Sequence, residues 1–295
     1  MATSMPLVSV EVETINVEEK EYTVKGYSIH TDLNSKKFTS EEIAHFIIDR
    51  FYICPICNKI QRGWALYEEK VNGIILRQFF LKCKHVFTTL AGLEVVDIEY
   101  KEMFTMWVRV ETVNVQLIQR SDSILTPFMQ YLQQTFVGLP GGSAANISYV
   151  NISGLTNTGG TAVNVIALLG IGAGSGNANA GIVIGTNNTA NSPSVYALAS
   201  QIPNGTSSGQ MQYGATSVAS IVTSGNTVSF QANRTFTNNS GASITVAEVG
   251  IYAEVIAYNN TAYYFALARD VLAAAVTVAN TTPITVYYTI QLTIS

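Results

Sequence analysis

The second half of this 295-residue chain almost lacks charge. Of 36 Lys, Arg, Asp and Glu residues, 31 lie in residues 1–144 and five in 145–295: Arg234, Glu248, Glu254, Arg269 and Asp270. Between Asp122 and Arg234, 111 consecutive residues carry none. So uneven a distribution excludes one homogeneous domain. Neither half has the basic excess that would neutralise phosphates, which excludes a nucleic-acid partner. Disorder is excluded too, because disordered segments join low hydrophobicity to high net charge, and residues 145–295 are rich in Val, Ile, Ala and Tyr.

Long apolar runs are also missing. The best candidate span, Thr161–Thr186, is broken by Asn164, six glycines and a polar segment at Ser175–Asn179. It falls short of the roughly 20 apolar residues a spanning helix needs, so no membrane span is expected. The first 17 residues have no basic stretch followed by an apolar run, so no secretory signal is visible.

In the charged half, Val8, Val10 and Val12 alternate with polar residues, the period of a half-buried strand. A second strand is expected over Glu21–His30. Thr39 with Glu42 three residues on is a capping box, and Ile43, Phe46, Ile47 and Phe51 follow at helical spacing. The helix runs into a Cys-x-x-Cys pair, Cys54 and Cys57, and 25 residues later into Cys83 and His85. Between the pairs, Asn72-Gly73 between β-prone runs marks a hairpin. Two ligand pairs joined by a hairpin form the layout of a zinc ribbon, with Zn²⁺ in a closed, structural Cys3His tetrahedron. The one-residue spacing of Cys83 and His85 departs from the commoner two. A Cys54–Cys57 disulfide, or merely buried thiols, is the alternative. His30 and His45 are read as ordinary strand and helix residues.

Further strands are expected over Leu93–Tyr100 and Glu102–Arg120. A short helix starts at Pro127 with Phe128, Tyr131, Leu132 and Phe136 on one face, a connector or an oligomer contact. These signals divide the chain into a zinc-stapled α+β anchoring domain (1–137), a Gly/Pro linker (138–144) and an uncharged β domain (145–295). Short β-prone runs separated by turn residues make the last an antiparallel β-sandwich, jelly-roll-like. The whole is mainly β. Eight Asn-x-Ser/Thr sequons fall in it, at Asn146, Asn151, Asn187, Asn204, Asn233, Asn238, Asn259 and Asn280, about twice what composition gives, and are candidate glycosylation sites.

The runs Arg234–Gly241 (RTFTNNSG), Ile244–Tyr252 (ITVAEVGIY), Phe265–Leu272 (FALARDVL) and Thr285–Ile290 (TVYYTI) resemble a pattern in virion structural proteins. Such proteins are the tail, appendage or turret components of tailed phages and archaeal viruses. The resemblance covers about residues 160–295. It implies a β-sandwich in an assembled external structure and brings no catalytic residues. Within the pattern, Glu248 and Arg269 are expected to pair between neighbouring strands, since a charge in such a domain must be exposed or paired. Glu248 and Glu254 would lie about 20 Å apart on a regular strand, too far for a glycosidase pair. With no His or Cys in this half, an enzyme is not expected.

The expectation is a virion structural protein that forms a symmetric homo-oligomer with itself and joins other virion proteins. Its first domain anchors and its second faces the particle exterior, in keeping with the acidic, hot setting of an archaeal virus. The alternative is a receptor- or glycan-binding module for host attachment; a cellular surface or pilus component is a third reading.

Overall fold

The computed structural model describes residues 7–17, 20–29, 39–48, 50–89, 93–97, 104–121, 149–154, 156–157, 170–256 and 262–293. The expected linker, the helix from Pro127, and Asn146 and Asn259 lie outside them, as does His30. The chain is mainly β, with antiparallel sheets, and divides into two units. One comprises Met1–Phe104, Asn114–Arg120 and Thr293–Ser295; the other, Thr105–Val113 and Ser121–Leu292. No described helix is long and apolar enough to cross a membrane.

The first unit opens with a hairpin, β1 (Leu7–Val17) and β2 (Lys20–Ile29), paired from Leu7↔Ile29 to Val17↔Lys20. Helix α1 (Ser40–Ile48) follows. Its capping box is reciprocal: the Thr39 N–H donates to Glu42 Oε2 at 2.8 Å and the Glu42 N–H to Thr39 Oγ1 at 3.2 Å. Ile43, Ala44, Ile47 and Ile48 are buried. Then come β3 (Phe51–Ile53), β4 (Ile60–Val71), β5 (Ile74–Leu81), β6 (Val86–Phe87) and β7 (Glu94–Asp97). Beyond Thr105–Val113, which includes most of β8 (Phe104–Glu111), the chain adds β9 (Val115–Ser121). The strand order is β1-β2-β7-β3-β4-β9, with β5 and then β6 branching from β4. The helix sits so close to β4 that a Cβ on Gly63 would collide with the Ile47 carbonyl oxygen. Only glycine fits there.

The second unit contains β10 (Tyr149–Val150), β11 (Thr156–Asn157), β12 (Gly181–Gly185), β13 (Gln212–Tyr213), β14 (Ser217–Val218) and β15 (Val222–Ser224). Four long strands complete it: β16 (Thr227–Thr237), β17 (Ile244–Ile256), β18 (Ala262–Val278) and β19 (Pro283–Thr293). One sheet runs β12-β17-β18; in the other, β8, β19, β16 and β13 are neighbours. Val183, Val249, Tyr252, Phe265, Phe236 and Tyr288 are buried, so β12, β16, β17, β18 and β19 all contribute to the apolar interior.

Candidate functional site

Two tight turns in the first unit present the cysteines. After β3, the Asn58 N–H donates to the Cys54 carbonyl at 2.7 Å and the Cys54 N–H to the Lys59 carbonyl at 3.0 Å. Asn58 is left-handed (φ 51°), which lets the chain reverse directly after the Cys-x-x-Cys pair. After β5, the Leu81 N–H donates to the His85 carbonyl at 3.1 Å and the Lys84 N–H to the Leu81 carbonyl at 2.8 Å. Lys84 is also left-handed (φ 65°), an uncommon conformation outside glycine. That single residue supplies the reversal that the one-residue spacing of Cys83 and His85 requires.

The turns bring one donor atom from each of Cys54, Cys57, Cys83 and His85 within 4.8 Å of one another. His85 Nδ1 is 3.2 Å from both Cys54 Sγ and Cys83 Sγ. A tetrahedral metal with bonds of about 2.0–2.3 Å needs donor–donor edges of about 3.5–3.8 Å. All three cysteines are free, so the disulfide alternative is not what forms. Cys54 is buried, and on the strands that flank the turns Phe79 and Phe87 stack with centroids 5.3 Å apart, with Tyr52 tilted against Phe79.

The thiols do not ionise alike. Burial pushes Cys54 up, but hydrogen bonds from the Cys57 and Ile56 backbone, and from the Cys57 and His85 side chains, outweigh it and bring the thiol down to about 6. Burial takes Cys83 up to about 11, and the neighbouring Cys54 and Cys57 add to the rise. One thiolate thus suppresses the next. A bound dication removes that conflict, which is the chemical reason three cysteines and a histidine at this distance suit a metal ion.

In the second unit the five charges have another role. Arg234 on β16 is fully buried and has no carboxylate among its hydrogen-bond partners. Its Nε donates to the Gly214 carbonyl at 2.8 Å. One terminal nitrogen serves Ala180 and Ile182, both at 2.9 Å, and the other serves Gly174 at 3.2 Å and Asn177 at 2.6 Å. The guanidinium lies 4.8 Å from the Tyr213 ring centroid. Burial lowers its pKa to about 10, still protonated at neutral pH. The expectation that each charge is exposed or paired therefore fails at Arg234, because five carbonyl dipoles replace the counter-ion.

Arg269 Nε donates to Glu248 Oε2 at 2.6 Å, with both side chains buried. The same carboxylate accepts the Ala199 N–H at 3.1 Å and the Ser200 N–H at 2.7 Å. Arg269 also reaches the Thr189 carbonyl and Asn191, whose amide returns a bond to the Arg269 carbonyl at 2.7 Å. Asp270 accepts from Ser121 at 2.9 Å and Tyr288 at 2.8 Å. Only Glu254 is partly exposed, with Tyr264 Oη at 3.5 Å.

Of the described sequons, Asn204 and Asn280 are exposed, while Asn151, Asn187 and Asn233 are half-buried. Asn238 is not available for a glycan. It is fully buried, and Nδ2, the atom a glycan would occupy, donates to the Ala242 and Val278 carbonyls, both at 2.8 Å. It pins the β16–β17 turn to the end of β18.

No family model, curated protein or solved structure matches the chain.

Proposed function

We propose that the chain is a structural protein of a virion, a tail, turret or capsid-associated component of an archaeal virus or phage. In this reading the first unit anchors and the second faces outward in a symmetric homo-oligomer. One observation carries it. The residues of the virion-like pattern, Arg234, Asn238, Glu248, Arg269 and Asp270, all turn inward and are spent on hydrogen bonds within the second unit. Among the described residues of 145–295, what remains outside is uncharged except for the partly exposed Glu254, so its contacts depend little on pH or salt. Such an exterior suits a particle in an acidic, hot setting. Of the three carboxylates in residues 145–295 only Glu254 is partly exposed, and the reading assigns none of them a catalytic role.

The metal is read as Zn²⁺ in a ribbon-like element, held by Cys54, Cys57, Cys83 and His85. Four protein donors leave no open position, so the ion staples the small β unit and does not catalyse. The sheets of the second unit are read as a jelly-roll-like sandwich. Negative-stain microscopy of the purified full chain tests the proposal: closed or filamentous assemblies support it, and dispersed single chains count against it. A glycan array on the same protein would reveal a recognition module instead.

A further inference from the structure

The β4–β5 hairpin ends in an apolar tip that nothing described covers. Val71, Ile74, Ile75 and Leu76 are 39, 65, 44 and 51 % exposed. Cross-strand partners share a face, so the pairs Val71↔Ile74 and Glu69↔Leu76 put Val71, Ile74 and Leu76 on one side. Lys70↔Ile75 and Glu68↔Arg77 lie on the other. Glu69 also lies on the first side, and both sides run into buried residues at the base of the arm: Leu117 on the first, and Leu66, Phe79 and Ile118 on the other. The arm thus carries exposed apolar residues on both sides, Val71, Ile74 and Leu76 on one and Ile75 on the other.

The arm also has an open edge. Its turn is Asn72-Gly73, with both residues left-handed at φ 50° and 82°, the two-residue turn of a tight hairpin. In that geometry the flanking residues Val71 and Ile74 exchange both ladder bonds. The alternation then turns the N–H and C=O of Ile75 away from β4. On that side β6 pairs only with Phe79 and Phe80. No described strand covers Ile74–Leu76. Natural edges are guarded by Lys, Pro or bulges. Ile74-Ile75-Leu76 has none of these.

We infer that this edge pairs with the same edge of a second copy, β5 antiparallel to β5 across a two-fold axis at Ile75. The strand's own sequence selects the occupant. Ile-Ile-Leu is apolar read in either direction, so an isologous pairing sets Ile75 on Ile75 and Ile74 on Leu76 at each position. Val71, Ile74 and Leu76 of both copies then share one face of the four strands, with Glu69 of each copy on its outer strand. Charge does not oppose it. Arg77 and Glu68 neutralise each other within each copy, Arg77 Nε lying 2.8 Å from Glu68 Oε2, and Arg77 falls opposite Gly73 of the other copy. The two Lys70 residues stand at the outer strands, about 14 Å apart. This deepens the self-assembly part of the proposed function by naming the strand that carries it.

The test uses the full chain with its metal. Sedimentation of wild type against Ile75→Lys should show assembled mass lost in the variant, with an apparent dissociation constant raised at least about tenfold, because two lysines would face each other on the axis. Ile75→Cys should give a disulfide-linked dimer on mild oxidation, whereas Val71→Cys, two strands off the axis, should not. If wild type assembles but Ile75→Lys matches it and Ile75→Cys cross-links no better than Val71→Cys, the edge pairing is wrong and self-assembly stands. If wild type is a single chain at every concentration, both fall.

Discussion

Replacing Arg234 should unfold the second unit's loop system more than any other single surface-neutral change. Arg234→Met keeps a flexible apolar side chain but removes donors from five carbonyls on Gly174, Asn177, Ala180, Ile182 and Gly214. A buried acceptor left without a partner costs about 1–3 kcal/mol, less where water enters. The total is therefore on the order of 5 kcal/mol, a large part of a domain's stability. Arg234→Lys keeps the charge but has three donors, so at least two carbonyls lose theirs, at about 2–4 kcal/mol. Thermal unfolding of the full chain should follow that order, with a drop of at least about 10 °C for Met. Amide exchange should rise first in residues 174–182 and around Gly214. Both variants within about 0.5 kcal/mol of wild type, with exchange unchanged in those loops, would refute the view that carbonyl dipoles hold this charge.

Cys83→Ser should bind markedly less zinc than wild type, measured by elemental analysis, and a chelator should melt wild-type secondary structure in the first unit; equal zinc in both proteins would end the metal reading. Arg269→Met should cost about 3–5 kcal/mol, because it strands Glu248 fully buried; a denaturation midpoint like that of wild type would contradict this. Expressed in a glycosylating host, peptide mapping should find Asn238 unmodified, while the exposed Asn204 and Asn280 are the positions open to a glycan. Alkali should weaken the second unit. Burial takes Tyr213 up to about 12, partly offset by hydrogen bonds and by Arg234, and burial with Asp270 raises Tyr288 further. The folded state holds these protons longer than the unfolded chain, so the stability is intact below about pH 10 and is lost as pH rises through the folded values. Tyr213 alone accounts for about 3 kcal/mol of that loss. Tyrosinate absorbance that rises near pH 10 without unfolding would oppose it.

The grouping of Cys54, Cys57, Cys83 and His85 was legible in the sequence because thiols and imidazoles are rare in this chain and the spacing within each pair is covalent. The doubt over Cys83-x-His85 was a backbone question, and only the left-handed Lys84 answers it. The capping box at Thr39 was equally readable, because both of its bonds are local. The cage around Arg234 was not: its acceptors are backbone carbonyls, which every residue carries, and they lie 20 to 60 positions away. Asn238 read as a sequon for the same reason, since its real partners are carbonyls on Ala242 and Val278. Arg234, Asn238, Glu248, Arg269 and Asp270 all fall in the runs that carry the resemblance, and the geometry gives them an internal role. The mainly β, antiparallel character followed from the short β-prone runs. The assignment of Thr105–Val113 to the second unit depends on pairing across most of the chain, as between β8 and β19, and left no local mark.

The claim that the chain is a virion component is tested most directly by gold-labelled antibody raised against the full chain, applied to intact particles from a culture that produces it. The account predicts regular label on the particle exterior. Label confined to cell surfaces or to the soluble fraction, with particles bare, would contradict it.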